Sequence, residues 1–234
     1  MREGDSLARQ VADKLGREVA DGSLAPGDVV RTEQLQARYD VSRTVVREAV
    51  RTLEAKRMLR STPHVGLTVR PVADWHLYDP DVIRWRLSGP GRIAHLDELT
   101  ELRAAVEPAA AAAAARREDA AGAEALLQYA ATMRARAAVG DRFGFLEADV
   151  QFHRALLTMC GNLLFAQLAP VTEELLRGRA EMRLLPAAPD PADAARHDAV
   201  AMAVAERRAA DAESGMRLVV RESLDDIHRR LIEP

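Results

Sequence analysis

Apolar residues recur at helical spacing along most of the chain. Leu7, Val11, Leu15 and Val19 fall every four residues, so residues 6–21 read as an amphipathic helix. Gly22 and then Pro26-Gly27 end it in a turn. Thr32 is expected to cap a short helix reaching Arg38, with Leu35 and Tyr39 facing in, and Asp40-Val41 makes a tight turn. Ser42 opens the next helix, because its hydroxyl suits the free N–H groups of a first turn. Val46, Ala49, Val50 and Leu53 line one face of that helix, and Arg43, Arg47 and Arg51 form a second stripe. The pattern then changes to two short β-prone runs, residues 59–61 and 67–69. They flank Thr62-Pro63-His64-Val65-Gly66, where proline and glycine suit a hairpin.

Residues 71–91 carry Trp75, Leu77, Tyr78, Ile83, Trp85 and Leu87, so this connector is expected to be packed, with a short helix from Pro80 or Asp81 to Leu87. Gly89-Pro90-Gly91 breaks the chain. From Leu96 on the pattern is helical throughout. Leu99, Leu102 and Val106 begin a helix that continues through the alanine run to about Arg117; the alternative for that run is low-complexity sequence, but alanine has the highest helix propensity. Further helices are expected near 119–139, 141–160, 163–184, 193–208 and 211–231, separated at Gly140, Gly161 and the prolines 186, 189 and 191. The expected fold is mainly α: a winged helix-turn-helix over 1–72, a linker over 73–91, and an antiparallel all-helical bundle over 92–234.

Composition narrows the class. Of 234 residues, 48% are apolar and 29% charged, enough for a packed core and against disorder. The longest apolar run, residues 109–115, is too short to cross a bilayer. Met1-Arg2-Glu3-Gly4-Asp5 leads straight into the amphipathic pattern without a signal-peptide core, and Cys160 is the single cysteine, so a cytoplasmic protein is expected. The net charge of −3 is uneven: residues 42–60 hold six basic and two acidic side chains. A locally basic face on an acidic chain suits a polyanion bound at one place. Arg43 and Arg47 lie where a recognition helix meets base edges, and His64 lies at the tip of a wing. The alternative is a solvated helix with basic surface residues.

These residues reach a family. The segment from Leu24 to Val69, above all Pro26-Gly27, VSRTVVREAVRTLEAK at 41–56 and GLTV at 66–69, resembles the winged helix-turn-helix of GntR-type transcription regulators. The resemblance implies double-stranded operator DNA as partner, with contacts from Arg43, Thr44 and Arg47, from Ser42 at the cap, and from His64 and Gly66 at the wing. The family usually reads Leu-Pro-Ser-Glu-Arg-Glu-Leu where this chain has Val29-Val30-Arg31-Thr32-Glu33-Gln34-Leu35, so a frequent DNA-contacting arginine is Glu33 here, with Arg31 as substitute. LYDPDVIRWRL at 77–87 is similar to the linker of the sugar-acid branch.

Within the bundle, Asp149 and His153 are four apart and share a helix face among Phe145, Leu146, Val150, Phe152, Leu156 and Leu157. His197 lies on a second apolar face with Val200, Ala201 and Val204. Spacing alone leaves two readings open, metal ligands or hydrogen-bonded core histidines. EADVQFHRALLTMCGNLLFAQL at 147–168 and ELRAAVEPAAAAAAA at 101–115 are similar to the FadR-type C-terminal domain of one GntR branch. That resemblance implies Asp149, His153 and His197 as ligands of a divalent metal such as zinc or nickel. A fourth histidine expected 22 residues after His197 is Val219, and His228 is too far along to replace it. Three ligands and an open position remain workable for zinc. The resemblance further implies a homodimeric repressor released by a small organic acid, with Arg103, Asp149, His153 and His197 at the effector site. For Arg103 the alternative is an ion pair with Glu107. Asn162 is expected to cap a helix and Cys160 to lie in the core. Two alternatives stand beside this reading: a metal-free regulator, and a metal-dependent hydrolase on Asp149, His153 and His197, for which Glu147 faces the wrong way to serve as base.

Overall fold

The computed structural model describes residues 3–232, with side chains at 7–227, 229 and 230. It divides after Ile93 into two compact units.

The first unit runs α1 (Glu3–Ala20), β1 (Val29–Val30), α2 (Thr32–Tyr39), α3 (Arg43–Ala55), β2 (Leu59–Thr62), β3 (Gly66–Val69) and α4 (Pro80–Ser88). The α1 stripe is buried from Val11 onward, while Leu7 is exposed. Between α2 and α3 the chain reverses at Asp40, with φ 52°. Ser42 caps α3 as expected, its Oγ accepting Val45 N–H at 3.4 Å. The cap of α2 is Arg31, not Thr32. Arg31 has extended φ and ψ, and its N–H donates to Gln34 Oε1 at 2.8 Å. A reciprocal side chain three residues on thus outweighs the hydroxyl preference.

The hairpin β2–β3 pairs Leu59 with Val69 and Thr62 with Gly66, and β1 joins on the other side of β3. Strand β1 was not expected, because two residues are too few to display alternation. Gly66 has a reason to be glycine: its φ is 126°, and a Cβ would lie 3.0 Å from Val30 O.

Residues 73–91, expected as a connector, pack into this unit. Trp75, Val82 and Trp85 join the core of Val11, Leu15, Leu35, Val46, Leu53 and Met58. Trp85 lies on α1 where Gly16 leaves room, since a Cβ there would sit 2.5 Å from the ring. Its Nε1 donates to Asp13 Oδ1 at 2.7 Å. Lys56, just after α3, reaches Asp79 at 2.6 Å and Asp81 at 2.9 Å. Burying a large apolar side chain stabilises by roughly 1.5–3 kcal/mol, so two indoles hold this segment to the head.

The second unit holds most of α5 (Arg92–Ala115), then α6 (Ala120–Ala138), α7 (Arg142–Met159), α8 (Leu163–Ala166), α9 (Ala169–Glu181), α10 (Pro191–Ala205) and α11 (Ala209–Ile232). Asp119, Asp141, Asn162 and Asp190 each cap the helix that follows with a side-chain oxygen. The alanine run is a core helix: Ala110, Ala111, Ala112, Ala114 and Ala115 are all buried. Cys160 is buried as expected. The single helix expected over 163–184 is two, α8 and α9. Pro170 lacks an N–H and is tolerated only in a first turn, so α9 restarts there. Helix α7 packs on α6 and α9, and α10 on α6 and α11. No helix among the described residues is long and apolar enough to cross a membrane.

Candidate metal centre and nucleic-acid interface

Asp149 and His153 project from α7 toward His197 on α10, and all three side chains are buried. Each histidine is oriented by its Nδ1. His153 Nδ1 lies 2.9 Å from Glu107 Oε2, and His197 Nδ1 lies 2.8 Å from the Asp193 carbonyl. A proton on each Nδ1 leaves each Nε2 as an acceptor. The two Nε2 atoms and Asp149 Oδ1 therefore face one another as three lone pairs, at 3.2, 3.2 and 3.5 Å. Asp149 Oδ1 makes no well-aligned hydrogen bond among the described residues. Such an arrangement needs a cation or shared protons at its centre.

The donor set fits a metal. Tetrahedral zinc with bonds of about 2.0–2.1 Å sets its ligand atoms about 3.3–3.4 Å apart, close to the three observed edges. Carboxylate-held and carbonyl-held imidazoles are the usual supports for such ligands. Without a metal, protons take the same place. Burial disfavours a charged His153, but Glu107 and Asp149 outweigh it and raise its pKa to about 9. His197 is likewise raised, burial being outweighed by Asp149 and Asp193. For Asp149 burial is outweighed by hydrogen bonds and charge from both histidines, and its pKa falls well below the usual carboxylate range.

Arg103 lies beside the triad but is engaged by Glu107, with Nε–Oε1 at 2.8 Å and Nη2–Oε2 at 3.1 Å. The ion pair weighed in the sequence is thus present. Arg103 Nη2 is 3.1 and 3.4 Å from the two His153 ring nitrogens. Near-equal distances put the guanidinium over the ring face, not along a lone pair. Thr172 Oγ1 donates to Glu107 Oε1 at 3.0 Å and completes this buried network.

On the other side, Asp149 lines a cavity of about 300 Å³ together with Arg142, Arg179, Asp193 and Arg196, and Arg103 is not on its wall. None of these arginines carries a motif that marks it in the sequence. The available signal was Arg179, one turn after the inward-facing Leu175 and Leu176. Val219, at the position of the expected fourth histidine, is buried in the apolar core. The His228 side chain lies outside the described residues.

In the first unit, Arg43, Thr44 and Arg47 are exposed along the N-terminal part of α3. Arg51 is held by Glu48 at 2.7 Å, whereas Arg43 and Arg47 have no ion-pair partner among the described residues. Ser42 is used as the cap, and Arg31 is exposed at the start of α2. His64 is exposed at the hairpin turn with φ 65°. Glu54 Oε1 accepts Ser61 N–H at 2.9 Å and ties β2 to α3. The unit therefore presents two unpaired arginines on a helix fixed to its wing.

Comparison with known proteins decides the family. Residues 7–69 match the model for bacterial regulatory proteins of the gntR family, and residues 98–222 match the FCD domain. The chain belongs to the gntR family. The HTH-type transcriptional regulator YieP of Escherichia coli K12 is 30% identical over 67% of this chain and 69% of its own. The galactonate operon transcriptional repressor of the same strain is 30% identical over 70% and 71%. Among solved structures, E. coli McbR/YncC has the same fold, with TM-score 0.55 at 17% identity over 99% of this chain and 100% of that one. As a gntR-family protein the chain is a DNA-binding transcription regulator with a winged helix-turn-helix and a helical FCD domain. Its relatives are regulators and not enzymes, so the hydrolase alternative is not favoured.

Proposed function

We propose that this gntR-family protein is a cytoplasmic, homodimeric repressor that leaves its operator when a sugar acid enters a metal-bearing pocket of its FCD domain. The observation that carries the reading is the convergence of Asp149 Oδ1 and two histidine Nε2 atoms, with Asp149 also on the wall of a cavity. Similarity to a galactonate operon repressor and to a probable D-xylose utilization operon repressor of Paenarthrobacter nicotinovorans supports a carbohydrate-derived effector.

In this reading Arg43, Thr44 and Arg47 meet base edges, and Ser42, Arg31, His64 and Gly66 contact the backbone or the adjacent groove. Asp149, His153 and His197 hold a divalent cation, zinc or nickel, whose positive charge receives a carboxylate oxygen when bound. Glu107 and the Asp193 carbonyl keep both imidazoles in the ligating tautomer. Arg103 acts on the site through Glu107 and the His153 ring. A coupling of about 1–3 kcal/mol, typical of allosteric effects, between pocket and operator shifts occupancy several-fold or more.

The test is fluorescence anisotropy with DNA from immediately upstream of the protein's own gene, scanned against aldonic acids with and without chelator. Arg47→Ala is expected to lose specific binding with its helical circular dichroism intact; an unchanged operator shift would remove α3 from recognition. His153→Ala is expected to lose metal by elemental analysis and to stop responding to effector, while still binding DNA. Full metal occupancy in that variant would exclude His153 as a ligand.

A further inference from the structure

The cations of the first unit divide into held and free. Arg17 is held by Asp13, Arg38 by Glu18, Arg51 by Glu48, Lys56 by Asp79, Arg70 by Asp74 and Arg84 by Asp81. Arg9 on α1 is exposed and, like Arg43 and Arg47, has no ion-pair partner among the described residues. An open groove places it in the head. Arg9 and Ala12 of α1, Ser42 and Thr44 of α3, and Trp85 of α4 share its walls. Arg9 therefore borders the same groove as the N-terminal end of α3, the end that carries Arg43 and Arg47. The other cation on the groove walls is Arg84, already held by Asp81.

The two sides of α3 have different neighbours. Val45 and Thr52 line the groove shared with α1, whereas Glu54 holds the wing strand β2 through Ser61 N–H at 2.9 Å. Thr52 and Glu54 are two residues apart, hence about 200° apart around the helix. The wing and α1 thus flank α3 on opposite sides. A helix about 10–12 Å across fills a major groove about 12 Å wide, so an element on either flank stands over a phosphate ridge. We propose that Arg9 binds a DNA phosphate on the flank of α3 away from the wing, so that the head holds both ridges of one major groove. This rests on the reading of α3 as the recognition helix and adds a contact that positions the helix without reading sequence.

The experiment is fluorescence anisotropy of the full-length protein on two duplexes, the DNA upstream of its own gene and a shuffled duplex of equal length and composition, at several salt concentrations. In Arg9→Ala the slope of log affinity against log salt is expected to fall by about one for each protomer bound. That is a loss of about five-fold per contact at 0.15 M salt, the same on both duplexes. Arg9→Lys should keep most of the slope, because the charge remains. Lys14→Ala is the control for general loss of charge. Lys14 is exposed on α1 but does not line the groove, and its removal should leave the slope unchanged. An unchanged slope in Arg9→Ala would overturn the proposal, as would an equal loss in Lys14→Ala or a loss confined to the upstream duplex. Arg47→Ala separates the underlying reading: it should erase the preference for the upstream duplex. A preference kept in that variant would remove α3 from recognition and the Arg9 contact with it.

Discussion

Replacing Glu107 by leucine tests the network that holds His153, the histidine proposed as a metal ligand. Glu107 is 1% exposed, and its two oxygens take four donors: Arg103 Nε and Thr172 Oγ1 on one, Arg103 Nη2 and His153 Nδ1 on the other. Burial works against its charge, but Arg103 and His153 outweigh that and hold its pKa far below the normal range. Removing the carboxylate strands a guanidinium that is itself 3% exposed and already has Nη1 unpartnered. Breaking a buried pair by deleting one partner costs about 3–5 kcal/mol. The two units need not unfold together, so the loss is best read from amide hydrogen exchange in α5 and α7, where it amounts to roughly two to three and a half orders of magnitude in protection. The double variant Arg103→Met/Glu107→Leu removes both charges and is expected to be more stable than Glu107→Leu alone, because an apolar pair is often as good as the ion pair it replaces. Zinc affinity should fall about 10- to 100-fold in the single variant, since His153 loses the partner that sets its tautomer. A single-variant cost below about 1 kcal/mol, or a double variant whose cost is the sum of its parts, would show that the four contacts do not act as a buried charge pair.

Other expectations concern the head. Gly16→Ala drives a Cβ into the rigid Trp85 ring and should destabilise the first unit by about 1–3 kcal/mol, seen as an earlier thermal change in tryptophan fluorescence; an unaltered melt would mean that Trp85 does not pack on α1. Asp81 responds to acid in a defined direction. Burial raises its pKa, but hydrogen bonds and charge from Lys56 and Arg84 outweigh it and the pKa falls below the reference 3.8. Its stabilising contribution is therefore present above about pH 4 and is lost as the pH drops through the lower folded value. Acid titration followed by tryptophan fluorescence should show that loss, and Lys56→Met should flatten it. A slope unchanged in that variant would take Lys56 out of the interaction.

The sequence by itself determined the elements that local chemistry controls. The Ser42 cap, the apolar face of α3 and the Pro/Gly hairpin turn are readable because each depends on residues within a few positions of one another. The pairing of Asp149 with His153 belongs there too, since four residues make one helical turn. Family-like motifs pointed to His197 and to Arg43 and Arg47 on α3. Tertiary structure decided what depends on distant partners. It split 163–184 at Pro170, joined the two-residue strand β1 to β3, and seated Trp85 against Gly16 so that residues 73–91 pack with the head. It also gave Arg103 to Glu107 and left Arg179 and Arg196 among the residues lining the cavity. Periodicity records which face of a helix is buried, but the neighbour that meets a buried charge is set by how the helices pack.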